Sequence, residues 1–231
     1  DRKSYRGDRT AKIHLAHADG SPAKDLNVEL AYAFPGYGHL KVFAGKTSRT
    51  GDLEVPGLTD RDVTRDIAPN LGALRVEVDG HRVGWLRFAP GKLTEEFSFQ
   101  LAPRVGDLVP NIGLVRVGSG AKSKLHDFKG KVVCLELWAS WCGPCQTPMS
   151  KLNGLAADKR DSWRDRAVIV PVSIDDEITD AARHVQSRGW NGLEHYWTGE
   201  GESVGFQSPA AKALVLEGVP TMVIVDRDSK I

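Results

Sequence analysis

"LWASWCGPCQTP", residues 137–148, sets two cysteines two residues apart, behind Trp141 and around Gly143-Pro144, in a chain with one other cysteine, Cys134. The segment overlaps an apolar run, "KVVCLELW" (131–138), and such a run reads as a strand buried on both faces. A buried strand passing straight into a helix predicts an α/β layer. At that junction Cys142 lies near the helix N-cap, where its sulfur faces unpaired backbone N–H groups and the positive end of the helix dipole. That environment favours thiolate. Cys145 falls three positions on, on the same helical face, so the two sulfurs can close or open a disulfide with little backbone movement. Pro144 fits a first helical turn, which has no partner for its missing N–H, and stiffens the loop that holds the sulfurs. Trp141 is expected to shield one side.

Two further apolar runs, "AVIVPVSI" (167–174) and "MVIVD" (222–226), are separated by helix-compatible sequence, which predicts a mainly parallel core sheet. The final "VIVDRDSKI" (223–231) reads as a strand, a turn and the first residues of another strand. A sheet edge and a covering helix are therefore expected beyond Ile231, with the α/β fold breaking off after its fourth core strand. Upstream the grammar differs. Leu26, Val28, Leu30, Tyr32 and Phe34 alternate with Asn27, Glu29, Ala31 and Ala33, the period of a half-buried strand. The same period recurs at Ile13/Leu15, Leu74/Val76/Val78 and Phe97/Phe99/Leu101, between the turn signals "ADGS", "RTGD", "VDGH" and "APGK". Short strands at that spacing predict an all-β antiparallel sandwich. The expected division is a sandwich over 1–102 and an α/β domain over 103–231, with Pro103 to Pro110 as linker.

The 231 residues are 41% hydrophobic and 26% charged with a formal net charge of +1, enough chain for two modest domains. Near-balance of charge, with no Lys/Arg cluster among aromatics, excludes nucleic acid as the expected partner. No apolar stretch reaches the length of a membrane span. The chain opens at Asp1, so a signal peptide or membrane anchor is expected only outside these residues. Three cysteines are too few for a disulfide-stapled scaffold, which leaves the Cys142/Cys145 pair to be explained locally.

Three stretches, "GDLVPNIGLV" (106–115), "FKGKVVCLELWASWCGPC" (128–145) and "LEGVPTMVIVDRDSKI" (216–231), resemble the thioredoxin fold, and within it the TlpA-like extracytoplasmic thiol:disulfide oxidoreductases of the redoxin family. The resemblance spans about residues 104–231. It implies that Cys142 is the nucleophile, that Cys145 resolves the mixed disulfide, and that Pro220 is a cis-proline facing them. The backbone of Val219 would then pair strand-to-strand with an extended substrate segment, beside Trp141, Gly143 and Pro144. Glu136 stands six residues before Cys142, where thioredoxins carry a buried acid. Burial would raise its pKa and let it exchange a proton with Cys145 through a water. The implied partners are a protein disulfide substrate and an upstream electron donor, outside the cytoplasm. Gly143-Pro144 resembles the dipeptide of reducing thioredoxins and not the Pro-His of oxidising relatives. Two departures stand out: Pro148 where TlpA-like proteins carry a glutamate, and Pro171 where thioredoxins have a lysine. Pro148 is also expected to kink or break the helix. The first hundred residues, "AKIHLAHADGSPAKDLNVEL" (11–30) onward, resemble transthyretin-like or carboxypeptidase-regulatory-like sandwiches.

The competing chemistries fit less well. A metal site would need two more convergent ligands, and His14 and His17 face opposite sides of a strand. No metal is expected, and no cofactor either, because no Gly-rich loop precedes a helix to cradle phosphate. "LELWASWC" lacks the proline and threonine that lead into a peroxidatic cysteine, so a thiol-dependent peroxidase is the alternative enzyme. A partner-binding module with a redox-sensing pair is the alternative outside enzymes. Cys134 is expected to be a small buried apolar residue, most of the seven histidines solvated, and Trp163 and "HYWTG" (195–199) packing residues.

Overall fold

The computed structural model describes residues 9–18, 20–34, 38–58, 74–86, 93–163 and 165–231. The chain divides into two compact units, Asp1–Leu101 and Ala102–Ile231.

The first unit is β-rich. Its strands are β1 (Arg9–Ala16), β2 (Asn27–Phe34), β3 (Gly38–Lys46), β4 (Asp52–Leu58), β5 (Leu74–Val78), β6 (His81–Leu86) and β7 (Thr94–Gln100), in two sheets ordered β4-β1-β7 and β3-β2-β5-β6. Alternation sends Ala11, Ile13 and Leu15 from one sheet, and Val28, Leu30, Val76 and Val78 from the other, into one core. Asp79 and Gly80, both at positive φ, form the two-residue turn between β5 and β6 that suits the twist of a hairpin. Gly84 on β6 leaves room for Phe99 of β7: a Cβ there would lie 2.2 Å from the Phe99 ring. Gly84→Ala is therefore expected to cost about 1–3 kcal/mol of stability by overpacking, measurable as a lower denaturant midpoint with unchanged slope.

Two expectations need correcting. The unit is not wholly antiparallel, because β1 and β7 pair in parallel from Thr10↔Thr94 to Ala16↔Gln100. They lie at opposite ends of the unit's sequence, so no tight hairpin constrains their direction. The strict alternation along β2 also fails, because the consecutive residues Leu30 and Ala31 are both buried, opposite a bulge at which β3 carries an extra residue, Val42, between the partners Phe43 and Lys41. The side chains of Tyr32 and Phe34, and the turn "APGK", lie outside the described residues.

In the second unit a six-stranded sheet runs β13-β10-β11-β12-β8-β9, where β8 is Gly113–Arg116, β9 Lys122–Lys124, β10 Val132–Trp138, β11 Ala167–Ser173, β12 Tyr196–Trp197 and β13 Thr221–Val225. Only the central pairs β10–β11 and β11–β12 are parallel; β13–β10, β12–β8 and β8–β9 are antiparallel. The sheet is thus mixed where a mainly parallel one was expected, because its outer strands are joined by a hairpin or return from the far side. Three helices, α1 (Gln146–Trp163), α2 (Ile178–Arg188) and α3 (Pro209–Ala213), complete the layer. Leu135, Leu137, Val170 and Val172 from the strands and Met149 from α1 fill the core. α1 runs unbroken through Pro148, against the expected break. The proline falls in the first turn, where an N–H would have had no intrahelical partner. The last residues, read as the start of a further strand, bridge back to the linker: Leu108 pairs with Lys230, and the Ile231 N–H reaches the Asp107 carbonyl at 3.0 Å.

Candidate active site

Register places the cysteines. β10 and β11 are parallel and pair to Trp138↔Ser173, so both end at one edge of the sheet, and antiparallel β13 begins there at Leu137↔Thr221. The loops 139–145, 174–177 and 214–220 therefore leave or enter the sheet at a common edge. Cys142 and Cys145 form a disulfide in the first of them, with Cα atoms 5.4 Å apart. Cys142 caps the single 3₁₀ turn Gly143–Cys145 that leads into α1, and its Sγ accepts the Cys145 N–H at 3.2 Å. Pro144 occupies the opening of that turn, where its missing donor is not needed. Cys142 is 4% exposed and Cys145 wholly buried, so neither is an open surface sulfur and Cys142 has only a small advantage in access. Trp141 is the exposed member, 58% accessible, and its ring lies 6.1 Å from that of Phe206. The Val219–Pro220 peptide is cis; Val219 packs against the core and Pro220 is exposed.

Glu136 is 1% exposed, between Pro171 on β11 and Met222 on β13. Burial is the one cause that pushes its carboxyl up to about 7, with no cation among the described residues to offset the cost of its charge. Its Oε2 has no hydrogen-bond partner among the described residues. One pleat back, Cys134 is only partly buried, where a small buried apolar residue was expected. Burial, and secondarily the neighbouring Glu136 charge, push its thiol up to about 11, which keeps it protonated and unreactive near neutral pH. Behind the strand, Trp138, His184, Trp190 and His195 pack ring against ring with centroids 5.4–6.2 Å apart. His195 is buried, not solvated, and burial drives it down to about 4 while its Nε2 donates to the Trp190 carbonyl at 3.0 Å.

Residues 130–231 match a family described as thioredoxin-like. The chain is 27% identical over 135 residues to a thiol-disulfide oxidoreductase ResA of Bacillus cereus, covering 58% of this chain and 71% of that one. The C-terminal unit is a thioredoxin-like thiol-disulfide oxidoreductase domain. A 68-residue stretch is 37% identical to the thioredoxin-like protein YneN of Bacillus subtilis, covering 29% of this chain and 37% of that one. Among solved structures, the thioredoxin domain of a thiol-disulfide oxidoreductase from Bacteroides vulgatus aligns at 21% identity and a TM-score of 0.47, over 56% of this chain and 86% of that one.

Four side chains of this thioredoxin-like domain that touch the cysteine loop or its neighbours were not singled out from sequence: Asp175, Gln146, His184 and Phe206. Asp175 had a usable signal, since "SIDD" (173–176) ends a buried strand parallel to the one that precedes Cys142, and parallel neighbours end at the same edge. Phe206 had none. It lies in a short 3₁₀ turn, Gly205–Gln207, 64 residues beyond Cys142 in number, and joins Trp141 only through the tertiary fold. Among the described residues no three potential metal ligands converge, and no described helix is long and apolar enough to cross a membrane.

Proposed function

We propose that this domain reduces protein disulfides through the Cys142/Cys145 dithiol. The observation that carries the reading is Cys142 at the cap of the turn, its sulfur accepting a backbone N–H, an arrangement that supports thiolate once the disulfide opens. The Cys142 thiolate attacks one substrate sulfur, forming a mixed disulfide and expelling the other as a thiolate that takes up a proton. Cys145, deprotonated, then attacks Cys142 Sγ, closing the 142–145 disulfide and releasing the second substrate thiolate. Two electrons and two protons pass to the substrate, and a donor dithiol restores the pair by the reverse exchange. Glu136 accepts the Cys145 proton through a water, as a carboxyl held near neutrality can. Trp141, Phe206 and the Gly143-Pro144 backbone receive the substrate, whose extended segment pairs with Val219 beside Pro220. The resemblance to extracytoplasmic oxidoreductases supports a reading of this chemistry outside the cytoplasm, and the short alternating strands of the N-terminal β-rich unit support a transthyretin-like or carboxypeptidase-regulatory-like sandwich.

Direction is decided by equilibration of the full chain with glutathione or dithiothreitol buffers. Gly and Pro add no side-chain donor to the Cys142 thiolate, so the couple is expected to be more reducing than about −200 mV; a value near −120 mV would make the domain an oxidant instead.

A further inference from the structure

The segment before Cys142 is tied to a buried carboxylate by contacts that disulfide exchange between the two sulfurs does not itself require. Asp175 is 1% exposed. Its carboxylate accepts the Ser140 N–H at 3.0 and 3.1 Å, the Ser140 hydroxyl at 2.8 Å and the Ser173 hydroxyl at 2.7 Å. The residue has little freedom of its own, because its N–H donates to Ser173 Oγ at 2.9 Å and its carbonyl accepts from Trp197 Nε1 at 2.7 Å. A second tie lies on the other side of the nucleophile. Gln146 Nε2 donates to the Cys142 carbonyl at 3.0 Å, and His184 Nε2 donates to Gln146 Oε1 at 2.8 Å. His184 is further fixed by ring contacts to Trp138 and Trp190.

We propose that Asp175 is a positioning residue for disulfide exchange: through Ser140 it fixes the backbone two residues before Cys142, the His184–Gln146 pair fixes the Cys142 carbonyl, and the buried charge keeps the cysteine couple reducing. The proposal rests on the dithiol reading above. Three donors converge on a group that can only accept, and charge-assisted bonds of this kind are the stronger ones. They hold a loop whose sulfur must align with the substrate disulfide, where a displacement of about 1 Å costs on the order of a hundredfold in rate. The electrostatic half follows from the same burial. A negative charge held away from water beside the loop opposes a second one on Cys142, and a thiolate that is less stabilised makes a more reducing couple.

Two variants of the full chain separate these parts. Asp175→Asn keeps the shape and removes the charge; the equilibrium with glutathione is expected to move at least threefold toward reduced protein, and mixed-disulfide formation to slow about tenfold. Ser140→Ala keeps the charge and removes one tie; it is expected to slow mixed-disulfide formation about threefold to tenfold and leave the equilibrium within twofold. Slower exchange in both with an unmoved equilibrium in Asp175→Asn would overturn the electrostatic half, and rates within twofold of wild type in both would overturn the positioning half. If Asp175→Asn does not fold, Ser140→Ala and Gln146→Ala decide the positioning half by the same rates. A wild-type protein that equilibrates with glutathione but reduces no protein disulfide would sink the proposed function while leaving the Asp175 comparison intact.

Discussion

Replacing Cys142 with serine is expected to abolish turnover of insulin or a small-molecule disulfide to background, whereas replacing Cys145 should permit one attack and then stop. The asymmetry follows from position. Cys142 caps the turn into α1 and its sulfur accepts a backbone N–H, while Cys145 is wholly buried behind it. A serine hydroxyl at 142 has no sulfur to form the mixed disulfide, so nothing replaces the first step. With Cys145→Ser the first step survives and the resolving thiolate is missing, so a covalent adduct through Cys142 accumulates. Non-reducing electrophoresis and intact-mass measurement read the adduct directly. Cys142→Ser retaining more than about a tenth of wild-type turnover, or Cys145→Ser accumulating no adduct, would reverse or refute the assignment. The other cysteine does not complicate the experiment, because Cys134 is partly buried and its thiol is pushed up to about 11.

The strands were legible because their hydrophobic patterns are extreme. "KVVCLELW" and "AVIVPVSI" can lie only inside a sheet, and a Cys-x-x-Cys after the first can sit only where that strand hands over to a helix. Strand direction was harder to read. Periodicity records which face of a strand is buried and is silent on which neighbour it pairs with, so the parallel β1–β7 pair and the antiparallel outer strands β8, β9 and β13 escaped. The bulge opposite Leu30 and Ala31 escaped for a related reason: it inserts one residue, Val42, into the partner strand β3, which the pattern along β2 does not record. At the site, the covalent chemistry was visible in the spacing of two cysteines and the acid in the apolar run. What holds them was not. Asp175 meets Ser140 across 35 residues and His184 meets Gln146 across 38, and only the register Trp138↔Ser173 and the packing of α2 bring them together. Pro148 was misjudged by counting the helix from Cys142, when its α-helical part begins at Gln146.

Glu136→Gln is expected to change stability with pH and to slow one chemical step but not the other. The carboxyl stands at about 7 in the folded protein against 4.5 in the unfolded chain, with burial as the cause. Below about pH 4.5 both states are protonated and the residue makes no difference to the balance. Between that pH and about 7 the unfolded chain ionises while the folded one does not, so unfolding releases a proton and wild-type stability falls as pH rises. The loss accumulates to about 3 kcal/mol and is flat above pH 7. Glutamine cannot ionise, so denaturant midpoints of the variant and wild type should diverge across that window in the variant's favour, whatever constant offset the amide brings. A parallel pair of curves would mean that Glu136 titrates normally. The kinetic consequence is separable in stopped-flow. Attack by Cys142 on substrate needs no proton from Glu136 and should be unchanged, whereas release by Cys145 requires its buried thiol to be deprotonated, the proton that Glu136 is proposed to take. Resolution of the mixed disulfide should therefore slow at least tenfold, about 1.4 kcal/mol in the barrier. If both steps stay within about twofold of wild type, Glu136 has no part in moving the proton, and its burial is a matter of fold alone.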